Sequence, residues 1–310
     1  NSCVLPGADS MNAMICPPKL SSNPMRIRLL IFLLLGLLGF PLDSDAEART
    51  WLDSVEDAVG KAREADQLIL VDLYADWCGW CKKLEEEVFS TPAFQEFAQD
   101  FVLLRVDTED GGEGTLLQQK FEAYTLPMTL VLDSAQVRVG EVMGFAPTDR
   151  FVAAVQKEIE SFSELVRGFE QFRETSDVRV LTILAEEFHQ RNDGERAASL
   201  YRQILATGEL PEDRAIFFQY QLTDTLRLAG RYEEALKELH ETRRGAVNLG
   251  KTDLVDRLDL QAAQIALDSG DCSQAETALE EFLGSHGKSQ LRQQARRTLA
   301  ALRADGFQCL

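Results

Sequence analysis

The chain has 310 residues, 45% of them hydrophobic and 27% charged, and carries a formal net charge of -19 at pH 7. That length exceeds the usual single domain and favours two cores, while the composition excludes a globally disordered chain. A surface this acidic repels phosphate backbones and anionic head groups, so nucleic acid is not an expected partner and the charge is read as a solubility feature.

Residues 1–24 are polar, contain proline and follow no pattern, and are read as an N-terminal extension. From Met25, two cations, Arg26 and Arg28, precede the apolar run Leu29 to Phe40, and Ala46-Glu47-Ala48 supplies the small residues that a signal peptidase needs. Residues 25–48 therefore read as a secretory signal peptide, with cleavage expected after Ala48 and a product without stable membrane insertion. An uncleaved anchor is the alternative, although the apolar run is short for a bilayer span. Of the six cysteines, Cys3 and Cys16 precede the signal, Cys78 and Cys81 form a CxxC, and Cys272 and Cys309 lie far downstream. Export places the last four in an oxidising compartment where disulfides persist.

Residues 49–160 form the first expected folded unit. Val55, Ala58, Val59 and Ala62 recur at helical spacing within Ser54–Ala65, and the apolar run Leu68–Val71 follows as a buried strand. After Asp76, the segment WCGWCKKLEEEVF restarts a helical pattern with Leu84, Val88, Phe94 and Phe97 on its apolar side. Cys78 thus falls where a strand meets a helix, and the free N–H groups of a helix start favour a thiolate. Cys78 is the expected nucleophile, Lys82 adds a positive charge, and Cys81, one turn along, is the expected resolving thiol.

The stretch VDLYADWCGWCK resembles the active-site segment of the thioredoxin superfamily, a strand followed by WCxxCK. The resemblance continues through FVLLRVD (Phe101–Asp107), a helix around Leu116–Ala123, TLPMTLVLD, an edge strand Val137–Val142 and a closing helix from Thr148. It implies an α/β thioredoxin fold, a central mixed sheet flanked by helices, and thiol-disulfide oxidoreductase activity. By position it also implies that Asp72 is a buried proton shuttle for the resolving thiol and that Pro127 is the family's cis-proline. Leu126 then offers its backbone to an extended substrate, beside Trp77, Gly79 and Trp80. The WCxWCK form is similar to an exported subfamily and to the C-terminal domain of periplasmic thiol:disulfide interchange proteins. Departures are Gly79-Trp80 between the cysteines, Met128 and Thr129 after Pro127, and Leu103 where a lysine often partners the buried acid.

Plainer readings stand beside these. Asp72 as a strand-end carboxylate reaching solvent, Pro127 as a trans turn residue, the two tryptophans as packing residues, and Cys78–Cys81 as an inert disulfide are the alternatives. With no second CxxC and with His189, His240 and His286 scattered, no zinc site, other metal or cofactor is expected. The stretch Thr108–Gly114 reads as a solvated loop.

Residues 161–310 read as all-α. Asn192, Gly230 and Gly270 occupy one slot of a repeat, with Ala197, Ala235 and Ala275 five residues later and Tyr201, Leu239 and Leu279 nine later. Upstream, Leu184, Leu222 and Ala262 recur eight before the slot, and Phe188, Leu226 and Ala266 four before. Gly or Asn accepts a left-handed turn between two helices, and Ala lets the second helix approach the first. The pattern resembles degenerate tetratricopeptide repeats, three of them, capped by a helix from Leu291 to Ala304 that ends at Gly306. Such arrays present a groove to peptides or partner proteins, a structural appendage being the alternative. Cys272 and Cys309 are candidates for a structural disulfide, with free thiols or an intermolecular bond as the other outcomes.

Two functions are compatible with these residues. One is a periplasmic thiol-disulfide oxidoreductase whose partners are exported proteins with thiols or disulfides and a redox partner protein. The other is a non-catalytic scaffold in which the repeats bind partners and the thioredoxin fold is a docking module.

Overall fold

The computed structural model describes residues 50–208 and 210–303. Residues 1–24, the signal segment 25–48 with its expected cleavage site, Cys3 and Cys16, and Ala304, Gly306 and Cys309 lie outside the described residues. Ser54 caps the first helix, α1 (Val55–Ala65), by accepting the N–H of Asp57, and a left-handed Asp66 ends it. The chain then enters strand β1 (Leu68–Tyr74), whose residues are buried almost end to end. Such a strand needs cover on both faces.

The cover comes from a four-stranded mixed sheet and its helices. Helix α2 (Gly79–Leu84) widens into a π-helical turn, Glu85–Phe89, before α3 (Pro92–Phe97), which Thr91 caps with Pro92 in its first turn. Strand β2 (Phe101–Asp107), helix α4 (Glu113–Lys120), strands β3 (Met128–Leu132) and β4 (Arg138–Met143), and helix α5 (Thr148–Phe172) follow. The sheet order is β2-β1-β3-β4, with β1 parallel to β2 and antiparallel to β3, and β3 antiparallel to β4. This is the thioredoxin fold expected from the motif.

Alternation along β1 divides the core. Ile69, Val71 and Leu73 pack with Ala58, Ala62, Leu117 and Phe121 of α1 and α4. Leu70 lies on the other face with Leu84, Val88, Phe94, Phe151 and Val155. There Phe94 stacks against Trp51 and tilts against Phe89 and Phe151, so the π-helical turn and α3 are tied to α5 through aromatic contacts.

Helix α5 is one unbroken element of 25 residues, about 37 Å long. Phe151 and Val155 belong to the core under the sheet, Phe162 touches that core and the next, and Leu165, Val166 and Phe169 pack into the helical region. That region is α6 (Val178–Gln190), α7 (Gly194–Ala206), α8 (Glu212–Leu228), α9 (Tyr232–Asn248), α10 (Thr252–Asp268), α11 (Cys272–Ser285) and α12 (Arg292–Leu302). Each helix contacts the next in chain order. Asn192, Gly230 and Gly270 all have positive φ, at 61°, 71° and 83°, and Ala197, Ala235 and Ala275 are buried. The turn slots and small residues thus occupy the backbone states their types suggest.

The helical region is fastened to the sheet edge at β4. The Arg138 N–H donates to the Arg191 carbonyl at 2.7 Å, and Arg191 Nη1 returns a bond to the Val139 carbonyl at 2.9 Å. Arg138 Nη2 donates to the Gln190 carbonyl at 2.6 Å, near the end of α6. An edge strand left bare is a pairing hazard, and here part of the edge is occupied. Among the described residues no helix is long and apolar enough to cross a membrane.

Candidate active site

The site starts where β1 runs out. After Tyr74 the chain turns through Ala75 and Asp76, and the Cys78 N–H donates to the Ala75 carbonyl at 2.9 Å. This places Cys78 as the N-cap of α2, its sulfur accepting the Cys81 N–H at 3.2 Å. Cys78 and Cys81 are joined as a disulfide with Cα atoms 5.3 Å apart, and are 4% and 1% exposed.

Tyr74 and Leu126 pack against the cluster of Ala75, Cys78 and Cys81. The Leu126–Pro127 peptide bond is cis, and Pro127 is buried. Hence the trans alternative for Pro127 is not realised, and Leu126 stands beside the cysteines. Gly79 is exposed, and nothing lies within 4 Å of where its Cβ would be, so packing does not demand glycine there.

Trp77 is 68% exposed and donates its indole N–H to Glu109 Oε1 at 2.8 Å, while Trp80 is 58% exposed and lies 5.8 Å from the ring of Phe145. Neither is a core residue. Lys83 sits over Trp80 and Phe145 and pairs with Glu87, whereas Lys82 is exposed with no ion pair among the described residues. Tyr124 and Met143 are also exposed, Met143 in register with Met128, the residue after Pro127. Within 50–160 the exposed large apolar side chains are therefore Trp77, Trp80, Tyr124 and Met143, all carried by the active-site turn, the cis-proline loop or the strand end beside it.

Asp72 lies mid-strand with no solvent exposure, in register with Arg105 on β2 and Thr129 on β3. The solvent-reaching alternative is thereby excluded. Burial pushes its carboxyl up to about 7, opposed by the positive charge of Arg105 and assisted by the negative charge of Glu85. Arg105 Nε stands 3.2 Å from Asp72 Oδ2 but off the line of a hydrogen bond, so neither carboxylate oxygen has a hydrogen-bond partner among the described residues.

Arg105 is the residue that motif reading missed. The expected cation position, Leu103, is in register with Leu70 and buried in the core, and the charge arrives two residues later along the same face. Arg105 also bonds Glu85 Oε1 at 2.7 Å and lies 4.4 Å over the Tyr74 ring. Its signal in the sequence is a single cation inside the apolar run FVLLRVD. The Thr108–Gly114 stretch is a loop only in part. Its start is a turn in which Asp110 accepts the N–H groups of Gly112, Gly114 and Thr115, but Glu113 and Gly114 open α4. Glu113 caps the start of α1 by accepting the Val55 N–H at 2.7 Å.

Comparison with known proteins finds a family match over part of the chain. Residues 50–134 match the family model described as thioredoxin-like. The thiol:disulfide interchange protein DsbD of Haemophilus influenzae (strain PittGG) is 33% identical over 99 residues, covering 31% of this chain and 17% of that protein. DsbD of Ralstonia nicotianae is 32% identical over 111 residues, covering 34% of this chain and 18% of that protein. Among solved structures, the oxidised C-terminal domain of Neisseria meningitidis DsbD aligns at 19% identity and a TM-score of 0.31, covering 35% of this chain and 99% of that domain. The chain spans about a sixth of the length of the curated relatives it matches. Residues 50–134, which carry the Cys78–Cys81 pair, constitute a thioredoxin-like domain.

Proposed function

We propose that this protein is an exported thiol-disulfide oxidoreductase that exchanges disulfides with protein clients through Cys78 and Cys81. The observation that carries the reading is the placement of the pair. One sulfur caps a helix, the cis Leu126–Pro127 bond lies in the loop packed on the cysteines, and the domain's exposed aromatic side chains surround that loop and turn. A purely structural disulfide has no use for solvent-facing Trp77 and Trp80 beside it.

In the reductive direction, the Cys78 thiolate attacks one sulfur of a client disulfide, forming a mixed disulfide and releasing the other client sulfur as a thiolate. Cys81 gives its proton to Asp72 and then attacks the Cys78 sulfur. The Cys78–Cys81 disulfide forms, the second client thiolate leaves, and the client has gained the two electrons lost by the pair. Leu126 and the rim of Trp77 and Trp80 hold the extended client segment, and Lys82 adds positive charge near the thiolate. The oxidative direction is the reverse of the same steps.

The signal segment 25–48 directs export to the periplasm, and residues 161–310, read as tetratricopeptide-like repeats, bind clients or a redox partner protein. Cys272 and Cys309 staple the C-terminal end of that array, which a free-thiol count on the unreduced mature protein checks. The functional reading is tested in the host cell by substitution. Cys81→Ala accumulates mixed disulfides between Cys78 and exported proteins, and Cys78→Ala accumulates none. Absence of adducts from both variants overturns the enzymatic reading and leaves a scaffold.

A further inference from the structure

Trp77 directly precedes the cysteine pair and is 68% exposed, yet its ring is held in place. The indole N–H donates to Glu109 Oε1 at 2.8 Å, and the Glu109 N–H donates in turn to Asp107 Oδ1 at 2.9 Å, at the end of β2. Asp107 is in register with Tyr74, which packs against Cys78 and Cys81. The next residue, Asp110, is fixed by the N–H groups of Gly112, Gly114 and Thr115. The turn after β2 therefore sets a carboxylate at the edge of an exposed tryptophan ring, beside the exchange site.

The two tryptophans of the rim differ in charge as well as in neighbours. Trp77 is tied to the turn after β2, whereas Trp80 lies against Phe145, which follows β4, and β2 and β4 are the opposite edges of the sheet. On the Trp80 side Lys83 covers both rings and pairs with Glu87. On the Trp77 side Asp76, Asp107, Glu109 and Asp110 make no ion pair among the described residues, and Arg105, the cation of β2, is engaged with Asp72 and Glu85. The rim is thus anionic at Trp77 and carries a cation at Trp80.

We propose that Trp77 and Glu109 form a subsite for a cationic side chain, arginine above all, flanking the target cysteine of an extended client. This rests on the exchange function proposed above and adds to it the class of client. Among aromatic rings the indole face attracts a cation most strongly. A guanidinium is planar and weakly hydrated, so it stacks on that face while its N–H groups reach a carboxylate at the ring edge. Glu109 Oε1 holds the indole, which leaves Oε2 for the incoming guanidinium. The neighbouring carboxylates add an attraction of longer range that salt screens. The redox step is unchanged: the client disulfide takes up two electrons from the cysteine pair, which closes as Cys78–Cys81.

The test uses the full chain, reduced, with disulfide-linked dimers of a capped one-cysteine peptide. Arginine stands immediately before the cysteine in one peptide and immediately after it in the other, and every other residue is neutral. The second-order rate constant for loss of each dimer is divided by that of the same dimer with dithiothreitol, which removes the reactivity of the peptide itself. A local subsite distinguishes the two placements, whereas attraction by the net charge of -19 does not. Wild type is expected to favour one placement about fivefold at low salt. Glu109→Gln is expected to bring the preference below about twofold, and Glu109→Lys to remove or reverse it. A third peptide, with glutamate in the favoured place, needs no protein variant and is expected to react more slowly than a neutral one. Equal normalised rates for the two arginine placements overturn the inference, and so does a preference that both Glu109 variants leave intact. Dimers consumed no faster by wild type than by Cys78→Ala refute the exchange function itself, whereas dimers consumed rapidly and without regard to placement refute only this inference.

Discussion

Asp72 and Arg105 face each other across adjacent parallel strands, 3.2 Å apart, yet both carboxylate oxygens of Asp72 are buried without a hydrogen bond among the described residues. An acid in that setting costs stability when ionised. Its carboxyl is raised from the ordinary 3.8 to about 7, so below both values it is protonated in the folded and unfolded chains and contributes nothing to the pH dependence. As pH rises through that interval the unfolded chain releases its proton first, and the native state loses up to about 4 kcal/mol by this group alone. Asp72→Asn removes the loss. The stability of Asp72→Asn relative to wild type is expected to grow from about pH 4 to about pH 8 and then level off, as followed by urea unfolding. A difference independent of pH contradicts the raised carboxyl.

Phe94 is fully buried and touches Trp51, Phe89 and Phe151, joining the helix after the cysteines to α5. Phe94→Ala opens a cavity at that junction and is expected to cost about 3–5 kcal/mol. Unfolding by denaturant reads this directly, and a loss under about 1 kcal/mol means the cluster does not hold the two helices together.

Two glycines separate packing from permissiveness. A Cβ on Gly194 meets the Thr225 carbonyl oxygen at 2.4 Å and the Ala229 nitrogen at 2.5 Å, backbone atoms of the next helix pair that have little freedom to move. Gly194→Ala is expected to destabilise the protein by about 1–3 kcal/mol. Gly79→Ala meets open space at the first turn of a helix, and its melting temperature is expected to equal or exceed that of wild type. Equal melting temperatures for the two variants contradict the close approach of α7 to the end of α8.

Arg191 closes part of the sheet edge through its bonds to the Val139 and Arg138 carbonyls at 2.9 and 3.3 Å. Arg191→Ala is expected to cost about 1–3 kcal/mol and to speed hydrogen exchange at Arg138 and Gly140 while leaving β1 protected. Unchanged exchange along β4 shows that the helical region is not held by this side chain.

Much of this architecture was legible from local signals. Strand Phe101–Asp107 appears with the expected ends, Ser54 caps its helix, and the left-handed turns fall on Asn192, Gly230 and Gly270, because alternation, capping and positive φ are properties of a few neighbouring residues. The helix after Cys81 is interrupted by the π-helical turn at Glu85–Phe89, which apolar spacing does not reveal. Arg105 was missed for a different reason. Whether Leu103 or Arg105 lies opposite Asp72 depends on the register of two strands about thirty residues apart, and a motif aligned by position carries no register. Likewise the tilted contact of Trp80 with Phe145, and the choice of Lys83 over Lys82 to cover that pair, depend on where β4 ends relative to α2.

Everything proposed for this protein requires that the Cys78–Cys81 pair be exchangeable rather than structural. Mixing the reduced full chain with a peptide bearing one disulfide, then quenching with acid and measuring masses, tests it most directly. One peptide dithiol is expected for each Cys78–Cys81 disulfide formed, with Cys81→Ala stalled as a Cys78–peptide adduct. A peptide disulfide consumed no faster by wild type than by Cys78→Ala contradicts it.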